Sequence, residues 1–373
     1  MTGPGLYIHI PFCKKKCDYC DFASIPYDPA ADGIDEYLTA LQNEMGYVRA
    51  IHELPLTFST IFIGGGTPTL LNEDQIIKLM GIIGDANTRE FTIEGNPDSI
   101  TLEKLKLLHG LGVNRLSIGA QSFNDDELKT LGRIHNSKQI LEAFENARNA
   151  GFKNISVDLI FGIPGQTLES WKETLDAAIK LEPEHLSCYG LQIEEGTPFH
   201  ERYKGDNDLQ FEMYKYTIHL LKSRGYHHYE ISNFAKPGFE CKHNINYWKN
   251  GEYLGAGASA ASHMNVKRWE NPKDIKEYMD KFLYRRGGAA SLPRKSRSTI
   301  STEITETILM NLRLIKGLDL SDFEKRFGTS FHSLYGDRLE DLASKGLIEA
   351  KSGFLRLTQK GLYLGNLVFE AFV

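Results

Sequence analysis

Cys13, Cys17 and Cys20 are the residues with the most pronounced chemistry in the chain. They stand in Tyr7-x-His9-Ile10-Pro11-Phe12-Cys13-x-x-x-Cys17-x-Tyr19-Cys20. Three soft thiolates at this spacing cannot share one helical face, so a loop has to wrap a compact metal site. A [4Fe-4S] cube as a rule takes a cysteine on each iron. Three cysteines leave one iron with an open position, the arrangement of a reactive metal rather than a structural one. The alternative is zinc with His9 as its fourth ligand. His9 lies upstream on a strand-like run, however, and zinc sites favour paired Cys-x-x-Cys spacing.

Further polar residues follow the cysteines at regular places. Gly64-Gly65-Gly66-Thr67-Pro68 closes one strand-like run, where glycines let the backbone approach a ligand and Thr67 adds a hydroxyl. Glu94 ends the next run, Gln121 the one after and Asp158 the fifth, while Arg133 lies in Leu131-Gly132-Arg133-x-His135. A carboxylate aimed into a barrel needs a cationic partner. Taken singly, Glu94 reads equally well as a helix cap, Arg133 as half of a surface ion pair and Asp158 as the start of a turn. Their recurrence in order favours a site.

The elements that would position them alternate. Strand-like runs at Leu6–Ile10, Thr60–Ile63, Phe91–Glu94, Arg115–Gly119, Ile155–Leu159 and Leu186–Gln192 are separated by helical spacing, as in Ile34, Leu38, Leu41, Met45 and Val48. Such alternation predicts a parallel sheet with right-handed crossovers, curled into a partial (β/α)6 barrel spanning residues 1–192. In these barrels the working groups sit at the carboxyl ends of the strands. Residues 193–284, rich in Tyr, His, Asn and Gly, read as an accessory or lid region, and residues 285–301 as a basic linker. Residues 302–373 read as a small helical, winged-helix-like domain for packing or partners.

Composition narrows the classes. A chain of 373 residues with a net charge of −6 lacks the basic excess of a nucleic-acid protein. It has no apolar run long enough to span a membrane, and its first residues carry no signal-peptide pattern. The five cysteines, three of them in a cluster, do not make a secreted disulfide framework, so the cytoplasm is the expected compartment.

Cys-x3-Cys-x2-Cys with Tyr19 before its last cysteine resembles the signature of the radical-SAM superfamily. In that family the open iron binds the amino and carboxylate groups of S-adenosylmethionine, and one electron from the cluster yields a 5′-deoxyadenosyl radical. The segments taken together are similar to the anaerobic coproporphyrinogen oxidase branch. That resemblance implies a first S-adenosylmethionine site at Tyr7, Gly65 and Glu94, and contacts to a second molecule at Gly66, Thr67, Tyr19, Gln121, Arg133 and Asp158, with Gln192 as a backbone contact.

Two departures separate the chain from the oxidases. Phe22 stands where their motif has a further cysteine, and only a few residues precede the first strand here. Both features resemble the shorter sister group, the HemW heme chaperones, as does His243-Asn244-x-x-Tyr247-Trp248 after Cys241. An imidazole beside flat aromatic rings suits an iron porphyrin, which makes His243 a candidate axial ligand. A core role for Tyr247 and Trp248, with His243 only hydrogen-bonding, is the alternative; Cys241 is a further thiolate candidate and Cys188 reads as a buried small residue. The resemblance implies heme, apo-hemoprotein acceptors, an electron donor for the cluster, and peripheral association with membrane-bound heme enzymes. The other reading is oxidative decarboxylation of coproporphyrinogen III.

Overall fold

The computed structural model describes residues 3–28, 33–52, 57–84, 88–284, 296–297 and 299–373. Most of the segment read as a linker therefore lies outside the described residues. Six strands run parallel in chain order: β1 (Gly5–Ile10), β2 (Thr60–Gly65), β3 (Glu90–Gly95), β4 (Arg115–Gln121), β5 (Ile155–Phe161) and β6 (His185–Gly190). Between them run α1 (Ile34–His52), α2 (Glu73–Ile83), α3 (Leu102–Gly110), α4 (Ser137–Asn149) and α5 (Leu168–Lys180). Capping boxes start three of these helices, at Asn72/Gln75, Asn136/Gln139 and Thr167/Ser170, each satisfying two backbone donors at the helix start.

Residues 193–284 contribute more to this sheet than their weak periodicity suggests. After α6 (Asn207–Ser223), β7 (His227–Glu230) and β8 (Asn233–Ala235) join antiparallel beyond β6. After α7 (Lys242–Trp248), β9 (Tyr253–Ala256) pairs parallel to β1 and so adds a seventh parallel strand, with β10 (Ala261–Met264), β11 (Lys267–Glu270) and β12 (Ser296–Arg297) beyond it. The described sheet has twelve strands in the order β12-β11-β10-β9-β1-β2-β3-β4-β5-β6-β8-β7.

Strand alternation sorts the side chains. Ile8, Ile61, Ile63, Phe91, Ile93, Leu116, Ile118, Val157 and Leu159 pack in one core with Leu38, Leu41, Leu79, Leu105, Phe144 and Trp171 of the crossover helices. The opposite set (Tyr7, Thr92, Glu94, Ser117, Asp158, Ser187) is polar and lines the curl. Asp158, expected at a strand end, lies in mid-strand in β5, where Ser117 and Ser156 donate to its two carboxylate oxygens at 2.8 and 3.0 Å.

The C-terminal unit begins with α8 (Ile300–Asn311). It combines helices with a small sheet of β13 (Leu318–Asp319), β14 (Ile348–Lys351) and β15 (Phe354–Leu357), around its own core of Ile308, Leu312, Phe323, Phe331, Leu355 and Phe372. Glu303 fastens it to the barrel: buried, it accepts from Asn250 at 3.0 Å and from Arg326, and faces His263 at 3.4 Å. No helix among the described residues is long and apolar enough to cross a membrane.

Candidate functional site

The cysteine loop leaves the carboxyl end of β1 and folds back over the barrel mouth. Backbone bonds pin its course: Gly66 and Thr67 N–H donate to the carbonyls of Ile10 and Phe12, Ile25 N–H to Pro11, and Cys20 N–H to Cys17. Gly66 has to be glycine, since a Cβ there would meet the Phe12 carbonyl at 2.5 Å. Cys13, Cys17 and Cys20 are free thiols that line the mouth of a cavity of about 1650 Å³. Burial pushes the Cys13 and Cys20 thiols up, so a bound cation is what would favour their thiolates.

The donor set fits an iron–sulfur cluster better than a zinc ion. Both ring nitrogens of His9 are engaged, Nδ1 with the Tyr7 hydroxyl at 2.9 Å and Nε2 with the Ala23 carbonyl at 2.8 Å. Among the described residues, no three His, Cys, Asp or Glu side chains are grouped to hold one ion. Three thiols facing one cavity without converging suit separate irons.

Below the mouth, the strand ends assemble the expected polar residues. Gly65, Gly66, Thr67, Glu94, Gln121, Arg133, Asp158, Tyr19 and Gln192 all line the cavity. Gly65 N–H donates to Glu94 Oε2 at 3.2 Å. Burial, reinforced by the charge on Asp158, pushes the Glu94 carboxyl up to about 7 against the pull of that Gly65 bond. A ligand ammonium group beside it would favour the ionised carboxylate. Gln121 has φ of 69° at an irregularity where β4 loses register with β5, which breaks the strand at the site.

Arg133 links the site to the cysteines. Its guanidinium donates to Asn96 Oδ1 at 2.6 Å, to the Gly119 carbonyl at 2.9 Å and to Cys17 Sγ at 3.5 Å. Asn96 in turn donates to Thr67 Oγ1 at 2.9 Å. Sequence reasoning missed Asn96 as a site residue, although its place just past the end of β3 is the available signal. Tyr7 is not part of the cavity wall; it sits one layer lower, against Phe62 and His9. His135 is buried and donates from Nε2 to the Ala120 carbonyl at 3.2 Å; burial, then Arg133, lowers it to about 4.

The opposite end of the barrel is closed by α7. Glu90, at the start of β3, accepts from the backbone of Lys242 and His243 at 2.9 and 3.0 Å and faces Cys241 Sγ at 3.4 Å. His243 is the point where structure and expectation part. Helical spacing puts His243 and Tyr247 on one stripe and Asn244 and Trp248 on the next. His243 is 1% exposed, engages Thr60 Oγ1 through Nδ1 at 2.9 Å and stacks near Phe62, so the stripe that lines the cavity carries Asn244 and Trp248 instead. Cys241 and Cys188 are likewise buried.

Residues 7–178 match the Radical SAM superfamily and residues 301–364 the HemN C-terminal domain. The heme chaperone HemW of Bacillus subtilis (strain 168) is 42% identical over 98% of each chain. The chain belongs to the HemW family of radical SAM proteins. A second HemW, from Lactococcus lactis subsp. lactis, is 36% identical over 98% of this chain and 96% of its own. Coproporphyrinogen III oxidase (HemN) from Escherichia coli, described as a radical SAM enzyme, superposes with a TM-score of 0.84 and 29% identity, covering 100% of this chain and 90% of its own. For a member of the HemW family within the radical SAM proteins, a [4Fe-4S] cluster and S-adenosylmethionine are the implied cofactors, and the cavity supplies thiols and a carboxyl of the corresponding types.

Proposed function

We propose that this chain is a heme chaperone: Cys13, Cys17 and Cys20 hold a [4Fe-4S] cluster, S-adenosylmethionine binds beside it, and heme is carried to apo-hemoproteins in the cytoplasm. The single observation behind this reading is the near full-length likeness to HemW heme chaperones, set on a cavity with the cysteines at its mouth. The cluster, when bound, supplies an open iron and one electron. The chain's own residues do the rest. Glu94 holds the ligand's ammonium group, the glycines Gly65 and Gly66 let the backbone close on it, and Tyr19 offers a ring to the adenine. Arg133 keeps Asn96 and Thr67 in place and sets a guanidinium N–H beside Cys17 Sγ. Gln121, Asp158 and Gln192 complete the wall.

The cavity is larger than the few hundred to about 1,000 Å³ of an ordinary ligand pocket, which leaves space beyond S-adenosylmethionine for a second ligand. His243 is the candidate axial ligand, and ligation requires its imidazole to leave Thr60 Oγ1, which engages it at 2.9 Å. Acceptors of heme include membrane-bound enzymes approached from the surface; nucleic acid is not a partner.

The whole-chain likeness to HemN favours one other reading, oxidative decarboxylation of coproporphyrinogen III. Anaerobically reconstituted protein should bind heme stoichiometrically, pass it to an apo-hemoprotein, and leave coproporphyrinogen III unchanged with a reductant and S-adenosylmethionine present. Robust protoporphyrinogen formation would replace the chaperone reading by the oxidase one.

A further inference from the structure

The half of the cavity away from the cysteines contains polar groups that the protein itself leaves unsatisfied. Glu230 and Asn233 are 1% and 2% exposed, yet Glu230 Oε2 and Asn233 Oδ1 have no hydrogen-bond partner among the described residues. Trp248 Nε1 and Arg313 Nε are buried atoms in the same condition. All four residues line the cavity. They are neighbours: Asn233 donates to the other oxygen of Glu230, the Arg313 guanidinium lies 4.5 Å over the Trp248 ring, and Glu230 bridges to Leu314 through the backbone. A buried unpaired polar atom costs about 1–3 kcal/mol, and a cluster of them is tolerated where a ligand supplies the partners.

The surrounding wall specifies the ligand's shape. Phe161, Phe211, Tyr214 and Tyr363 line the cavity and form a run of rings, Phe211–Tyr363 at 4.4 Å and Phe161–Tyr214 stacked at 6.1 Å. They come from β5, α6 and the C-terminal unit, so this compartment exists only where the three meet. Two N–H donors, one of them cationic, beside flat apolar rings match a planar aromatic ligand that carries a carboxylate at its edge. Burial raises the Glu230 carboxyl above the usual range, which lessens its repulsion of a second carboxylate.

We propose that this compartment is the heme seat, with Arg313 Nε and Trp248 Nε1 donating to a propionate carboxylate and the aromatic run facing the ring. The inference rests on the heme-chaperone reading and assigns it a place at the junction of barrel and C-terminal unit, away from the cysteine loop.

The test compares heme with heme dimethyl ester, whose propionates carry no charge, on cluster-loaded full-length protein. Wild type should bind heme at least 10-fold more tightly than the ester. Arg313→Gln should narrow that preference to within about threefold by weakening heme and leaving the ester unchanged, while Arg313→Lys restores part of it. Trp248→Phe, which keeps the flat surface and removes only the donor, should narrow it by a smaller factor; thermal unfolding and iron content confirm that each variant is folded. Equal binding of heme and ester by wild type, or an undiminished preference in Arg313→Gln, overturns the seat while leaving heme binding intact. No binding of either porphyrin overturns the chaperone reading and this seat together.

Discussion

At the residue scale, the proposed function gives the cysteines and Glu94 two separate jobs. Replacing Cys17 by Ala should abolish the cubane spectrum of reconstituted protein, and Cys188→Ala and Cys241→Ala should not, because those two buried thiols belong to β6 and the start of α7 rather than to the loop. A full iron content in the Cys17 variant would refute the ligand set. Glu94→Ala should keep its iron but bind S-adenosylmethionine more weakly by about 1.5–3 kcal/mol, the scale of a charge-assisted hydrogen bond, as read by calorimetry on matched samples. The pH dependence has a definite sign. Since Glu94 titrates at about 7, affinity for the ammonium-bearing ligand should rise with pH through neutrality and level off above it, and Glu94→Gln should flatten that rise. For the ligand-free fold the sign is reversed: a carboxyl pushed up from 4.5 to about 7 on folding costs stability progressively as pH rises between those values. His243→Ala should alter the heme spectrum if its imidazole reaches the iron; an unaltered spectrum excludes that ligation.

At the element scale, two short segments depend on single side chains. The cysteine loop depends on Gly66, where a methyl group would collide with the Phe12 carbonyl. Gly66→Ala should therefore lower iron loading while leaving far-UV circular dichroism unchanged, and normal loading would show that the loop can shift. The floor helix α7 depends on Glu90, whose carboxylate takes up both of its first backbone donors and stands near the buried Arg115. Removing it leaves these two buried donors unpaired, a loss of about 1–3 kcal/mol for each. Glu90→Ala should speed hydrogen exchange across Lys242–Trp248, with the rates in β4 and β5 little changed; uniform protection would mean that the helix is held by packing alone.

At the scale of the whole molecule, the C-terminal unit is part of the cavity rather than an appendage. Tyr363, Leu364, Leu367 and Phe369 line it from one side and the barrel from the other. Glu303 holds the seam, with Asn250, Arg326 and His263 converging on it. Glu303→Ala should loosen the C-terminal unit by about 1–3 kcal/mol, the cost of leaving its buried donors unmet. Limited proteolysis should then release residues beyond Thr302 sooner than in wild type, with heme affinity falling in parallel. Unchanged digestion would place the seam's strength in the apolar contacts instead.

The sequence by itself determined the parts whose chemistry is local. A thiolate triad within one loop, Gly65-Gly66-Thr67 after a strand, and Glu94 and Gln121 at strand ends were legible because strand period and turn composition fix where such residues point. The six parallel strands were legible for the same reason. Only the tertiary structure decided the remainder. β9 escaped notice because Tyr-Leu-Gly-Ala carries little periodicity and owes its place to pairing with β1. His243 and Trp248 read as one motif along the chain, but the turn of α7 sends them to different faces, and burial against Thr60 and Phe62 holds the imidazole out of the cavity. Arg313 and Glu230, far apart in sequence, acquire a shared purpose only where the C-terminal unit docks, because unmet hydrogen bonds are a property of what surrounds an atom and not of the residue that carries it.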